Sequence, residues 1–327
     1  MWRGLSGFQW LALSGAVAAV GVLLSFRPDV IGPVAVAGAA TTFLTVSVWR
    51  VLLVVLSSPP AGHADQPPDA LPPYTVLVAL HDEAEVMDQL VGRLARLDYP
   101  TDRLQGLLIL EADDHQTIAA ALAAARPAWL EVFVAPPGRP RTKPRALNCA
   151  LPHVTGDLLT VYDAEDEPDP LQLREAATQF AADADGRLAC LQAPLRIRRG
   201  RRGVEASPFL DRQFAAEYAS LFETALPGMA HLGLPFPLGG TSNHFRVDVL
   251  REIGGWDSFN VTEDADLGFR LWSRGWRLGV ISRPTWETPP GHLADWLPQR
   301  ASCVSLFAGR IADHFAGDPA RHGALAG

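Results

Sequence analysis

Three carboxylates stand within four residues in the stretch Thr262-Glu263-Asp264-Ala265-Asp266-Leu267-Gly268. A positioned carboxylate can take the proton from a hydroxyl as that hydroxyl attacks an electrophile. Taken alone, the stretch is also the pattern of an ordinary capped helix. Thr262 suits the N-cap, acids fill the first turn, and Gly275 suits the stop. The pattern places Asp264 at the mouth of that helix, at the edge of the fold rather than in its core. Its chemical meaning comes from a second acidic stretch upstream, Asp163-Ala164-Glu165. Two carboxylates spaced i, i+2 on an extended segment can face one divalent cation. Mg²⁺ and Mn²⁺ take hard oxygen ligands, commonly one or two carboxylates together with substrate phosphates. A solvated acidic turn is the competing reading, since Asp166, Glu167 and Asp169 follow. Lys143 and Arg145 stand upstream, where they can meet phosphate. Lys143 is the only lysine in the chain, and ammonium and guanidinium differ in geometry and hydration.

The segments that must position these groups alternate in type. Tyr74–Leu80 reads as a buried strand ending at His81-Asp82-Glu83, with a helical pattern following to about Arg96. Leu104–Leu110 is a second strand, ending in Glu111-Ala112-Asp113-Asp114, and Gln116–Ala125 is helical. Leu130–Ala135 is a third strand, Lys143–Leu151 a short helix, and Asp157–Tyr162 a fourth strand. Strands alternating with helices predict an α/β fold with a parallel, doubly wound sheet, in which ligands bind beyond the carboxyl ends of the strands. Three of those ends carry carboxylates.

Ahead of this domain the chain is apolar. Residues 4–26 are uncharged, residues 30–49 are uncharged again, and Val51–Leu56 follows Arg50. Each run approaches the roughly 20 residues that cross a bilayer. With Arg27-Pro28-Asp29 as a tight turn, residues 1–56 read as a transmembrane hairpin. Arg3 and Arg50 suit cytoplasmic ends, which puts the following domain on the cytoplasmic face of a multi-pass membrane protein. Residues 57–73, with Pro59-Pro60, Pro67-Pro68 and Pro72-Pro73, read as a semi-stiff linker. A net charge of −8 argues against a nucleic-acid partner. Cys149, Cys190 and Cys303 are scattered and show no metal spacing, which suits a reducing compartment. Five arginines between Arg196 and Arg202 can meet anionic lipid head groups. Trp272, at helical spacing from Gly268 and Trp276, is expected in the core, and His244 is a candidate substrate contact.

Leu80-His81-Asp82-Glu83, Asp98-Tyr99-Pro100, Lys143-Pro144-Arg145-Ala146-Leu147-Asn148, Tyr162-Asp163-Ala164-Glu165-Asp166, Gly239-Gly240-Thr241-Ser242-Asn243-His244-Phe245-Arg246 and Thr262-Glu263-Asp264 together resemble family 2 glycosyltransferases. The likeness is to their membrane-bound, cellulose-synthase-like bacterial branch, and it runs in order from about Tyr74 to Trp296. The resemblance implies a GT-A fold over residues 74–300 and transfer of a sugar, with inversion, from a nucleotide sugar such as a UDP-sugar to a saccharide or lipid acceptor. It implies that Asp163 and Glu165 hold Mg²⁺ or Mn²⁺, with Glu where Asp is usual. Asp264, with Glu263 beside it, would be the general base. Glu111 or Asp113, together with Lys143, Arg145 and Asp163, would meet the nucleotide. Gly240, Thr241 and Ser242 would line the acceptor pocket.

Polymer-forming members carry Q-x-x-R-W after the acidic helix. Here Gln299 is kept on the acceptor side, but Ser302 and Cys303 stand where Arg and Trp belong. Residues 301–327 hold no apolar run of spanning length, so they read as part of a membrane-interface helix and a tail. The expectation is a shortened member whose export channel, where one is needed, comes from a membrane protein partner. A catalytically impaired membrane partner is the alternative expectation.

Overall fold

The computed structural model of the chain describes residues 28–57, 71–198, 208–260 and 262–288, with positions 14, 15, 18 and 21 besides. Most of the first apolar run, most of the linker, Arg199, Arg201 and Arg202, and Gln299, Ser302 and Cys303 lie outside the described residues. Two compact units divide the chain, Met1–Val54 and Val55–Gly327.

Helix α1 spans Pro28–Leu56. Among the described residues it is the one helix long and apolar enough to cross a membrane, over Gly32–Leu56. Val36, Phe43, Val48 and Val55 all point outward, as lipid-facing residues do. Thr42 and Thr45 return their hydroxyls to the carbonyls of Gly38 and Thr41, so neither is left unsatisfied. Pro28 and Asp29, expected in a tight turn with Arg27, belong to the helix, and Arg27 lies outside the described residues. Proline is pre-set for a first helical position and lacks an N–H that would go unused there.

The second unit opens with β1 (Tyr74–Leu80), α2 (Met87–Leu94), β2 (Leu104–Glu111), α3 (His115–Ala123), β3 (Leu130–Ala135), α4 (Lys143–Ala150) and β4 (Leu158–Tyr162). Next come β5 (Glu167–Pro168), α5 (Gln172–Ala181), β6 (Leu188–Gln192), β7 (Leu195–Ile197), α6 (Pro208–Ser220) and α7 (Leu226–His231). The last described elements are β8 (Asn243–Arg246), α8 (Val247–Glu252), α9 (Glu263–Ser273), β9 (Arg277–Val280) and β10 (Thr285–Glu287). A seven-stranded sheet runs β3-β2-β1-β4-β8-β6-β9. β1 is covered on both faces, with Tyr74, Val76 and Val78 in one apolar cluster and Leu77 in the other. Its sequence therefore lacks alternation, as buried parallel strands do.

β1 to β4 are mutually parallel, as the strand–helix alternation predicts. The sheet is mostly parallel, as expected, and the exception is β8, which runs antiparallel to both β4 and β6. The reversal matters for the site. An antiparallel strand starts where its parallel neighbour ends, so the Gly239–Ser242 turn that opens β8 meets the end of β4. Ser242 N–H donates to Val161 O at 2.7 Å. A second sheet, β5-β10-β7, is built from the segment just after Asp166 and the last described strand.

Around α9, Thr262 holds the N-cap position, but its side chain makes no capping bond and donates instead to Asn260 Oδ1 at 3.3 Å. Gly275, at φ +87°, ends the helix as expected. The placing of Asp264 at the edge of the fold is corrected, since Glu263 and Asp264 are both buried. The cause is close packing one turn further on. A Cβ built on Gly268 would lie 2.5 Å from Phe236 O. Gly268→Ala is therefore expected to destabilise the fold by about 1–3 kcal/mol, read by thermal or denaturant unfolding. Trp272 also departs from expectation. It is 43 % exposed and donates its indole N–H to Gly233 O at 3.0 Å, so the core beneath this helix is filled by Leu267 and Leu271 instead.

Candidate active site

The acidic helix and the lysine motif meet because α4 holds the turn that leads into α9. Asn148 of α4 clamps Trp256, accepting from its N–H at 3.0 Å and donating to its carbonyl at 2.6 Å. Thr142 donates to Ser258 O at 2.9 Å. From the other side, Arg270 of α9 donates to Gly255 O at 2.7 Å and to Ile253 O at 3.2 Å. Asn148 and Arg270 carry no chemistry, and sequence reasoning passed over both as positioning groups.

Lys143, at the start of α4, donates to Asp163 Oδ1 and to Gly240 O, both at 2.5 Å. A single ammonium thus ties the end of β4 to the glycine turn. Asp264 stands beside the same turn, 3.8 Å from a Cβ built on Gly240. Burial pushes the Asp264 carboxyl up to about 7, against the pull of Lys143 and with Glu263 and Asp163 adding to the rise. Glu263 is also raised, first by burial. Burial pulls Lys143 down, but Asp163 and Asp264 outweigh it, and the lysine stays charged. Lys143→Met should leave these carboxylates with less compensation. The expected result is a higher pH for half-maximal activity and turnover about tenfold or more lower near neutrality. A pH–rate profile of the variant against the parent checks it.

Further acids face this group, and they were not picked out as site residues from the sequence. Glu83, at the end of β1, is raised by burial and then by Glu165 and Asp163. Glu287 of β10 is pushed up to about 7 by burial and then by the same two carboxylates. Asp166 is 1 % exposed and raised well above the usual range by burial, Asp163 and Glu287. Among the described residues carboxylates thus outnumber cations here, and Lys143 is the cation paired with Asp163. This is the hard-oxygen donor set that suits Mg²⁺ or Mn²⁺. A separate group, His81, Asp82 and Asp114, brings three ligand atoms within 4.8 Å of one another at the ends of β1 and β2.

The two basic residues of the α4 motif diverge. Arg145 turns away from Lys143 to pair with Glu111 at 3.3 Å, both largely buried, and it also donates to Pro136 O. Asp113 is exposed and pairs with Arg141 at 2.5 Å. Glu111, Asp113, His115, Gly138 and Arg141 line a cavity of about 200 Å³. The two acids left open as nucleoside contacts therefore share one cavity, with Glu111 anchored by Arg145 and Asp113 free to face solvent.

The glycine turn offers less side chain than expected. Thr241 donates its hydroxyl to Asp166 inside the fold, and Ser242 donates to Thr285 Oγ1 at 2.6 Å. Both are buried, so what this turn presents outward is backbone around Gly240. Ser242, at φ +57°, is held in a left-handed conformation by these interior bonds. His244 is corrected as a substrate contact. It is fully buried, bonded to Tyr74 Oη at 2.6 Å and Gln172 Oε1 at 3.2 Å. Burial lowers its pKa to about 3, which keeps the ring neutral.

Residues 72–301 match the family model described as "Glycosyltransferase like family 2". The chain belongs to glycosyltransferase family 2. The match covers the sheet, the acidic turn after β4 and helix α9 together. Among curated members, the chain is 28 % identical over 236 residues to "Beta-monoglucosyldiacylglycerol synthase" of Synechocystis, covering 70 % of this chain and 46 % of that one. It is 24 % identical over 234 residues to "Probable glycosyltransferase YdaM" of Bacillus subtilis, covering 70 % and 54 %. The chain thus spans about half the length of these family members. The solved mannosyltransferase PcManGT of Pyrobaculum calidifontis, in complex with GDP-Man and Mn²⁺, shares the fold. The TM-score is 0.63 at 21 % identity, over 85 % of this chain and 75 % of that one. The family's GT-A architecture, a mixed α/β fold with a mostly parallel central sheet, is the one described above.

Proposed function

We propose that the chain is a metal-assisted, inverting glycosyltransferase that moves a sugar from a nucleotide sugar to an acceptor at the cytoplasmic face of a membrane. The observation that carries this reading is Asp264. It is a buried carboxylate held near neutral pKa, and Lys143 joins it to the carboxylates at the end of β4. Inverting transfer is a single displacement, which needs one base and a stabilised leaving group. Asp264 takes the proton from the acceptor hydroxyl as that oxygen attacks the anomeric carbon. Asp163 and Glu165 are the residues that would hold Mg²⁺ or Mn²⁺, whose chemistry here is to neutralise charge on the departing diphosphate. Lys143 adds a fixed positive charge next to Asp163. The cavity at Glu111 and Asp113 takes the nucleoside, with Arg145 fixing the Glu111 carboxylate. The backbone around Gly240 admits the acceptor close to Asp264.

Two kinds of acceptor are supported by relatives' names, a glucosyldiacylglycerol-forming enzyme and the cellulose synthase 1 catalytic subunit, described as UDP-forming. Helix α1 favours an acceptor met at the bilayer, lipid or lipid-linked saccharide, with membrane lipids around the enzyme. The test is calorimetry on the full chain in mild detergent, titrating common UDP- and GDP-sugars with Mn²⁺ and again with chelator. Metal-dependent binding of one of them is the expected result. A folded chain that binds none would instead be a silent membrane partner.

A further inference from the structure

Strand β10 carries a carboxylate that neither the metal pair nor the base accounts for. Side chains alternate along a strand, so Thr285 and Glu287 share one face and Trp286 takes the other. Thr285 is fully buried, and its hydroxyl accepts from Ser242 Oγ at 2.6 Å and from Gln172 Nε2 at 3.0 Å. The shared face therefore looks toward the Thr241–Ser242 turn, beside the end of β4. β10 also pairs antiparallel with β5, Trp286 opposite Glu167, which lays Glu287 along the acidic turn 163–166. Tyr218 of α6 lies close enough to the Glu287 carboxylate to lower its pKa against the larger rise from burial. An aromatic ladder holds α6 in place, with Phe214, Tyr218 and Phe222 at centroid spacings of 4.5 Å and 5.5 Å.

Among the described residues no guanidinium pairs with Glu287. Arg196 pairs with Glu223 at 2.6 Å, and Arg198 with Glu167. Asp166 gives an independent sign that this corner lacks donors. Its Oδ2 takes the Asp163 N–H at 2.7 Å and the Thr241 hydroxyl, while its Oδ1 is buried with no hydrogen-bond partner. A ligand that fills this corner must bring hydrogen-bond donors or positive charge. A bare diphosphate brings neither and would be repelled by Glu287, and the positive charge of a metal ion accompanying it would be met by Asp163 and Glu165. The part of a nucleotide sugar rich in donors is the sugar ring.

The geometry points to Glu287, placed by the pairing of β10 with β5 and neighboured by Tyr218, as the residue that accepts hydrogen bonds from the hydroxyls of the transferred sugar and so selects among nucleotide sugars. This rests on the glycosyltransferase reading and extends it to donor specificity. The full chain in detergent is titrated with UDP-glucose, UDP-N-acetylglucosamine and GDP-mannose, and with UDP and GDP, all with Mn²⁺. Glu287→Gln keeps the side-chain size and removes the charge. The expected result is a loss of about tenfold in affinity for the preferred nucleotide sugar, with the matching nucleoside diphosphate bound within about twofold of the parent. Tyr218→Phe is expected to give a smaller loss in the same direction. Equal losses for sugar and diphosphate, or no loss for either, would overturn the inference while leaving the glycosyltransferase reading standing. A parent chain that binds no nucleotide sugar at all would remove both.

Discussion

Asp264→Asn is expected to lower turnover by about a thousandfold while nucleotide-sugar affinity stays within a few fold, because the amide keeps the shape and cannot take a proton. The variant also tests the pH dependence. Asp264 has a folded pKa raised to about 7, first by burial. A base works only when ionised. Activity is therefore fully present above pH 7 and is lost as pH falls through it, by about tenfold per unit once well below. Initial rates at saturating donor give this profile. The acid limb should be present in the parent and absent from the residual rate of Asp264→Asn. A parent profile flat from about pH 5.5 upward would point to a base with an ordinary carboxylate pKa, not Asp264. The same burial has a stability consequence of opposite sign. Raising a carboxyl pKa means the folded chain holds a proton that the unfolded chain has released, so Asp264 weakens the fold above its unfolded pKa. Asp264→Asn is thus expected to keep or raise the melting temperature near pH 8, which separates a catalytic loss from a folding one.

Asp163→Ala is expected to abolish the gain in nucleotide-sugar affinity that Mn²⁺ confers, about a hundredfold or more in apparent Kd at saturating metal. Its carboxylate is half-exposed at the end of β4, bonded to Lys143 and facing Glu83 and Glu287. Removing it takes away one hard-oxygen ligand and frees the ammonium. Affinity measured with chelator should change far less, because the cavity proposed for the nucleoside, at Glu111 and Asp113, involves other residues. Titrating Mn²⁺ itself into parent and variant, with nucleoside diphosphate present, reads the ligand role directly. Equal metal affinity in the two proteins would remove Asp163 from the metal site and shift attention to His81, Asp82 and Asp114.

Much of the fold was legible in the linear chain. Tyr74–Leu80 and Leu130–Ala135 have the bounds that their apolar runs suggest, and the strand ends fall at the acidic clusters. These are local properties: a strand buried on both faces must be apolar throughout, and a strand end that meets water and ligand need not be. Residue type and spacing also singled out Asp163, Lys143 and Asp264 as candidates, and the fold brings these three to one turn, with Lys143 bonded to Asp163 and to Gly240 O and Asp264 beside Gly240. What depended on distant contacts was not legible. The reversal of β8 follows from a pairing between residues far apart, Thr160 with His244. Asp264 reads from its neighbours as a surface cap, yet Gly268 packing on Phe236 and the Asn148 clamp on Trp256 bury it. Without that burial its pKa would stay in the ordinary carboxylate range. Glu287 lies more than a hundred residues from Asp163, and only the pairing of β10 with β5 brings the two together. Periodicity and residue type carry the elements and the reagents, whereas desolvation and proximity, which set how those reagents behave, arise only when the chain closes on itself.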